Sequence, residues 1–193
     1  MLLSAPTLEA SFERGLPFRE FVATGESQGH RGPWDQRYEQ LVLDSVQHAL
    51  VQGFEREMRV LCMTGTWCGD CALQGAALAR IAEANPAKIA LRFVPRSEEF
   101  AEVVAAVRLN AGFRVPMTMF MAEDFEPVAL FGDRTLSRYR SMARKQLPPF
   151  ETVAMSPPPA DPVREVLREA LDEFERVQLL LRLSPRLRQK HGD

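Results

Sequence analysis

Arg59-Val60-Leu61-Cys62-Met63-Thr64-Gly65-Thr66-Trp67-Cys68-Gly69-Asp70-Cys71 is the stretch that decides the fold: a strand-like apolar run hands over within a few residues to two cysteines opening a helical pattern. Residues 59–63 and 89–94 read as strands, and residues 71–84 between them have helical spacing that ends at Asn85-Pro86. Strand, helix, strand in that order make a β-α-β unit, so the two strands should run parallel. A thiol at the first turn of such a helix faces free backbone N–H groups and the positive end of the helix dipole, and both favour its thiolate. Cys68 is the outer thiol and the expected nucleophile. Cys71, one helical turn on, is the expected resolving thiol, and the two sulfurs can close a disulfide.

Outward from this unit, Ser97 followed by Glu98 and Glu99 predicts a helix with Val103, Val104 and Val107 facing inward. It should end near Asn110-Ala111-Gly112, with the glycine just past the helix. Residues 117–121 and 127–131 read as strands joined by the polar turn Ala122-Glu123-Asp124, an antiparallel hairpin that makes the sheet mixed. Met117, Met119 and Met121 share one face of the first of these strands and should pack in the core or line a substrate groove. The basic segment 134–145, with Arg138, Tyr139, Arg140 and Arg144, reads as a solvated helix face.

Towards the N-terminus, residues 25–33 hold three glycines and a proline and read as a loop. Asp35 should then cap one helix running through Tyr38, Leu41, Val42, Val46, Ala49 and Leu50 to Gly53. Towards the C-terminus, residues 146–162 carry six prolines and read as an extended linker. A last helix should follow, capped by Asp161 with Pro162 at its first position, its apolar face running from Val163 to Leu181 and ending at Ser184-Pro185. Arg182, Arg186, Arg188 and Lys190 form a small positive tail that complements the C-terminal end of that helix. The expected division is a helical N-terminal extension over 1–54, an α/β domain over 55–150, and a Pro-rich linker with a C-terminal helix over 151–193.

Composition narrows the function classes. With 193 residues, 46% of them hydrophobic, and 24 basic against 26 acidic side chains, the chain has enough apolar material for a core. It lacks the charge imbalance of a nucleic-acid or membrane-surface binder. No apolar run reaches the ~18 residues a membrane helix needs. The start, Met1-Leu2-Leu3-Ser4, has neither the basic region nor the apolar core of a signal peptide, so a cytoplasmic location is expected. In a reducing compartment a close cysteine pair points to redox or metal chemistry rather than stapling. There is no second Cys-x-x-Cys, Cys62 lies on a strand, and His30, His48 and His191 are scattered, so no metal site is expected.

Thr66-Trp67-Cys68-Gly69-Asp70-Cys71, with Arg114-Val115-Pro116-Met117-Thr118 placing Pro116 45 residues after Cys71, resembles the active-site motif and proline loop of the thioredoxin family. The resemblance covers about residues 55–145. It implies a thioredoxin fold, α/β with a mixed central sheet flanked by helices, to which the helical N-terminal extension and the C-terminal helix are added. The activity implied is reducing thiol–disulfide exchange, with Cys68 attacking and Cys71 resolving. Trp67, Gly69, Asp70, Val115 and Pro116 would then form the substrate surface, with a cis Val115-Pro116 bond that lets the preceding backbone pair with an extended substrate. No metal or organic cofactor is implied. The partners are a disulfide-containing protein or small molecule and a reductase or dithiol that supplies electrons. The helical extension resembles a bacterial subgroup of thioredoxin-like proteins. The alternative is a redox-sensing binding or assembly module on the same fold.

Two departures from the family pattern bear on the chemistry. Asp70 stands where thioredoxin has proline, and an exposed carboxylate there should oppose the Cys68 thiolate by ~1 kcal/mol and pull the potential towards the reducing side. Cys62 stands where the family carries a buried aspartate that helps move the proton of the resolving thiol. Either water or another group takes that proton, or resolution by Cys71 is slow and mixed disulfides should then accumulate. Cys62 itself reads as a small buried apolar side chain.

Overall fold

The computed structural model describes residues 3–147 and 156–193, so the middle of the Pro-rich stretch and the expected boundary at 150 lie outside the described residues. The first strand of the core, β1 (Met58–Thr64), is buried at every position but Arg59, as a strand covered on both faces must be. It pairs in parallel with β2 (Ile89–Pro95), Met58 opposite Ile89, and the crossover between them is the helix α5 (Gly69–Ala84), as the β-α-β reading requires. β3 (Met117–Ala122) runs antiparallel on the other side of β1, and β4 (Pro127–Phe131) closes the expected hairpin, giving the order β2-β1-β3-β4.

Alternation along the strands sorts the layers. Phe120 of β3 meets Phe174 of α8 (Pro162–Leu183) edge-to-face at 4.9 Å, so this helix and α5 cover one face. Met119, on the opposite face, is buried on the side of α6 (Ala101–Ala106), while α1 (Ala5–Glu13) packs against α6 and β2. The three methionines are core residues. The chain crosses the β2 edge of the sheet at Leu16, which exchanges two backbone hydrogen bonds with Phe93 (2.8 and 2.9 Å). Beyond that crossing α2 (Phe18–Ala23) and α3 (Arg31–Gln40) lie on the α5 side, where Phe18, Phe21 and Trp34 enclose Phe93.

Local expectations fail at four places. The single helix expected from Asp35 to Gly53 is two: α3 begins at Arg31, with Gly32 and Pro33 in its first turn, and α4 (Ser45–Gln52) starts after a break at 41–44. Proline fits a first helical turn because that N–H needs no partner. The break is enforced by a capping box in which Asp44 accepts from the Gln47 N–H (2.9 Å) and the Gln47 side chain accepts from the Asp44 N–H (3.0 Å). Asp35 caps nothing and pairs instead with Arg31 at 3.0 Å.

The helix expected from Ser97 to Asn110 shrinks to a 3-10 turn, Glu98–Phe100, and the short α6. Leu109 and Gly112 then bond each other across a tight turn, and Asn110 and Ala111, rather than the glycine, take the left-handed conformation (φ 46° and 58°). Past Ser184-Pro185 the chain continues as α9 (Pro185–His191). Finally, only Arg182 of the positive tail sits in the last turn of α8 as expected. Arg186 pairs with Asp124, and Lys190 and His191 pair with Glu123 (2.6 and 2.9 Å), fastening α9 to the β3–β4 turn.

Candidate active site

At the end of β1 the chain leaves the sheet through Gly65-Thr66-Trp67 and enters α5, with Cys68 as the residue that caps it. Cys68 is extended (φ −98°, ψ 120°), and its Sγ accepts the backbone N–H of Cys71 at 3.3 Å. That geometry meets one of the unpaired N–H groups of the first helical turn with a sulfur, and a negative sulfur meets it best. The Cys68 thiol is accordingly lowered to about 6, first by the hydrogen bond from the Cys71 thiol and, against the cost of partial burial, by the backbone N–H groups of Cys71 and Asp70. Cys71 is fully buried, and burial first, then the neighbouring Cys68, pushes its thiol strongly upward. One sulfur is thus held as thiolate and the other as thiol, the pairing the roles of attacker and resolver require.

The two departures resolve differently. Asp70 is not an exposed carboxylate: its side chain is 13% accessible and receives the Nε of Arg134 at 2.7 Å and the Nε of Arg138 at 2.5 Å. Two guanidiniums pair with its charge, and its opposition to the thiolate ranks behind burial and the hydrogen bonds at Cys68. The reading of 134–145 as a solvated face is corrected for these two arginines, which sit where the chain enters and begins α7 (Leu136–Gln146). The argument for a reducing potential rested on an uncompensated Asp70 and loses its premise. Cys62 is fully buried, with its thiol pushed up to about 12 by burial, so it is neutral at physiological pH and no proton acceptor. Thr64, buried and uncharged, is the neighbour of Cys71 whose hydroxyl acts to lower that thiol against the larger effect of burial.

The register puts Pro116 beside Thr64, because Met63 pairs with Met117, and so brings the proline loop to the foot of the cysteine turn. The Val115-Pro116 bond is cis, and both residues are buried. Trp67 is 58% exposed and Gly69 is exposed. Arg96, at the end of β2, donates from its backbone to the Thr64 carbonyl (2.9 Å) and from Nη1 to the Phe113 carbonyl (2.5 Å). Its guanidinium lies 5.3 Å from the Trp67 ring. The N-terminal helices reach the same turn from the other side: Trp34 Nε1 donates to the Thr66 carbonyl at 2.8 Å and His30 Nδ1 lies 3.1 Å from the Thr66 hydroxyl.

Sequence reading missed His30, Trp34, Arg96, Arg134 and Arg138 as neighbours of this site. The spacing of Arg134 and Arg138, one helical turn apart, was the available signal for that pair. For His30 and Trp34, whose contacts span more than 30 residues, nothing local pointed to Thr66. Among the described residues no cluster of three or more His, Cys, Asp or Glu side chains could hold a metal ion, and no helix is long and apolar enough to cross a membrane.

A helix-capping dithiol at the carboxyl ends of the parallel strands, facing a cis-proline loop across a mixed sheet, defines a thioredoxin-like fold. The thioredoxin family model matches residues 15–144, and the chain belongs to that family. The match begins upstream of α2, so the helices that carry His30 and Trp34 fall inside it. Among solved structures the chain is similar to a Pseudomonas aeruginosa protein of unknown function, at 23% identity and a TM-score of 0.61 over 86% of this chain and 93% of that one. It is also similar to an HIV epitope-scaffold, at 22% identity and a TM-score of 0.58 over the same shares. Both likenesses concern the fold alone. Chlamydomonas reinhardtii thioredoxin f2 aligns at 15% identity and a TM-score of 0.35 over 57% of this chain and 98% of that one. No curated protein matches the chain.

Proposed function

We propose that the chain is a thiol–disulfide oxidoreductase whose working pair is Cys68 and Cys71. The observation that carries this reading is the division of labour between the two sulfurs, a partly exposed thiolate capping α5 and a buried thiol that hydrogen-bonds to it. In the reaction the Cys68 thiolate attacks one sulfur of a substrate disulfide, forms a mixed disulfide and expels the other sulfur as thiolate. Cys71 then loses its proton and attacks Cys68 Sγ, closing the Cys68–Cys71 disulfide and releasing the second substrate thiolate. Two electrons pass to the substrate, and a dithiol or a reductase returns them to the pair.

With Cys62 neutral and Thr64 uncharged, no side chain beside Cys71 among the described residues is placed to take its proton. Water does so, and the mixed disulfide is long-lived. Exposed Trp67 and Gly69 and the Val115-Pro116 loop form the face a substrate meets, while Asp70 acts from beneath through its arginines. A resting dithiol of this kind suits a reducing compartment such as the cytoplasm.

The test is reduction of insulin disulfides with dithiothreitol as donor. Wild type should turn over, Cys68→Ser and Cys71→Ser should not, and Cys71→Ser should trap a mixed disulfide. A second reading, a redox-sensing binding module, draws on the Asp70 ion pairs that tie the cysteine turn to α7. Absence of turnover together with reversible oxidation of the pair would favour it.

A further inference from the structure

Thr64, the last residue of β1, and Gly65 after it are held in place beneath the cysteine turn. The Thr64 carbonyl accepts the Arg96 N–H at 2.9 Å, and the Gly65 carbonyl accepts the Cys68 N–H at 3.1 Å. The Trp67 indole lies against Gly65 so closely that a Cβ there would stand 2.7 Å from Cε2, which keeps the position a glycine. Thr64 is fully buried and shares a face of β1 with Cys62, two residues back. Its hydroxyl has no nitrogen or oxygen partner among the described residues, and the group it meets is the Cys71 thiol. A buried hydroxyl whose one available neighbour is sulfur directs its hydrogen there. The backbone of Gly65 reaches the same sulfur.

Cys71 is thus surrounded by two opposed sets of groups. Burial first, then Cys68, hold it as a thiol, whereas the Thr64 hydroxyl and the Gly65 backbone favour its thiolate. The balance changes during the reaction. In the resting dithiol the Cys71 hydrogen is engaged by the Cys68 sulfur. Once Cys68 is bonded to a substrate sulfur it carries no charge and that restraint is gone, so burial alone stands against the Thr64 and Gly65 donors. Donors already in place need no reorganisation at the moment the charge appears.

We propose that Thr64 is a further catalytic residue of the exchange, its hydroxyl donating to Cys71 Sγ as that sulfur becomes the thiolate that attacks Cys68. This rests on the oxidoreductase reading above and deepens it at the resolving step. In that step Cys71 gives its proton to water, its sulfur bonds to Cys68 Sγ, the bond between Cys68 and the substrate breaks, and the substrate leaves as thiolate. Thr64 keeps its own proton throughout, so its role is compatible with water as the acceptor. Thr118 offers an internal comparison. It lies opposite Cys62 in the β1–β3 register, is equally buried, and its hydroxyl meets the thiol of Cys62, which takes no part in the exchange.

The experiment mixes the reduced full chain with excess dithiobis(nitrobenzoate), an aromatic disulfide whose two halves absorb when released. The first half leaves when Cys68 attacks and the second when Cys71 resolves, so one trace times both steps. Thr64→Val, which keeps the branching and volume of the side chain, should leave the first release within about twofold of wild type and slow the second about tenfold. The midpoint of the second release against pH should rise, because a thiol whose thiolate has lost a donor is harder to ionise. Thr64→Ser, which restores the hydroxyl, should return the second release to within about threefold of wild type, and Thr118→Val should leave both releases unchanged. A second release that Thr64→Val does not slow would overturn the proposal and leave the oxidoreductase reading standing. Slowing of both releases alike, or equal slowing by Thr64→Ser or Thr118→Val, would do the same, since it would trace to packing rather than to the hydroxyl. Release of a single half by the wild-type chain would overturn both.

Discussion

At Cys68 a single sulfur collects the Cys71 thiol and the backbone N–H groups of Cys71 and Asp70, and the sign of its behaviour with pH follows directly. The lowered thiol, about 6, means that alkylation by iodoacetamide should rise through that pH and level off at neutrality, since only the thiolate reacts. Cys62 and Cys71, buried and held protonated, should stay unmodified in the folded chain. Mass-resolved labelling across pH checks both statements. Arg138→Ala removes half of the compensation on Asp70. It should raise the Cys68 midpoint by about half a unit and make the potential more negative by about 10 mV, because a less stable thiolate disfavours the reduced form. A midpoint that does not move would show that Asp70 is silent at this site. Cys62→Ala should leave insulin reduction within about twofold of wild type and cost about 1 kcal/mol of stability, as deletion of a small buried apolar group does.

Among the elements, α3 carries the most consequence for the site. Trp34 is fully buried, packs against Phe18, Phe21 and Phe93, and holds the Thr66 carbonyl two residues before the nucleophile. Gly75 of α5 makes room for it: a Cβ there would stand 2.5 Å from the indole Cζ3. Gly75→Ala should therefore destabilise the protein by about 1–3 kcal/mol despite the better helix propensity of alanine. It should also slow exchange by displacing the Thr66 turn. Denaturant midpoint and insulin reduction, measured together, check this. The same element shows what local pattern misses. Apolar spacing ran unbroken from Tyr38 to Leu50 and suggested one helix, while the Asp44–Gln47 capping box that splits it was present in the sequence and outweighs spacing locally. Val42 and Val46, counted towards the apolar face, are 64% and 77% exposed, because the break turns them to solvent.

For the molecule as a whole, α8 is what completes the core opposite α1 and α6. Gln178 is buried on it, accepting from the Glu55 and Arg56 N–H groups (3.1 and 2.8 Å) and donating to the Arg56 carbonyl (3.1 Å), so the helix also satisfies the backbone that leads into β1. Phe174→Ala, which deletes the ring packed on Phe120, should cost about 3–5 kcal/mol and lower the Tm by about 10 °C, with little effect on the pH dependence of Cys68. The sequence by itself determined the β-α-β unit, the hairpin, the two sulfurs and the Asp161 cap of α8, because each rests on interactions within a few residues or on one short periodicity. Only the tertiary structure decided the charge state around them. Arg134 and Arg138 reach Asp70 across more than 60 residues, Trp34 reaches Thr66 across 32, and Arg96 lies between Trp67 and Phe113. Electrostatic and packing partners are chosen by distance in space, and no local spacing along a chain encodes that.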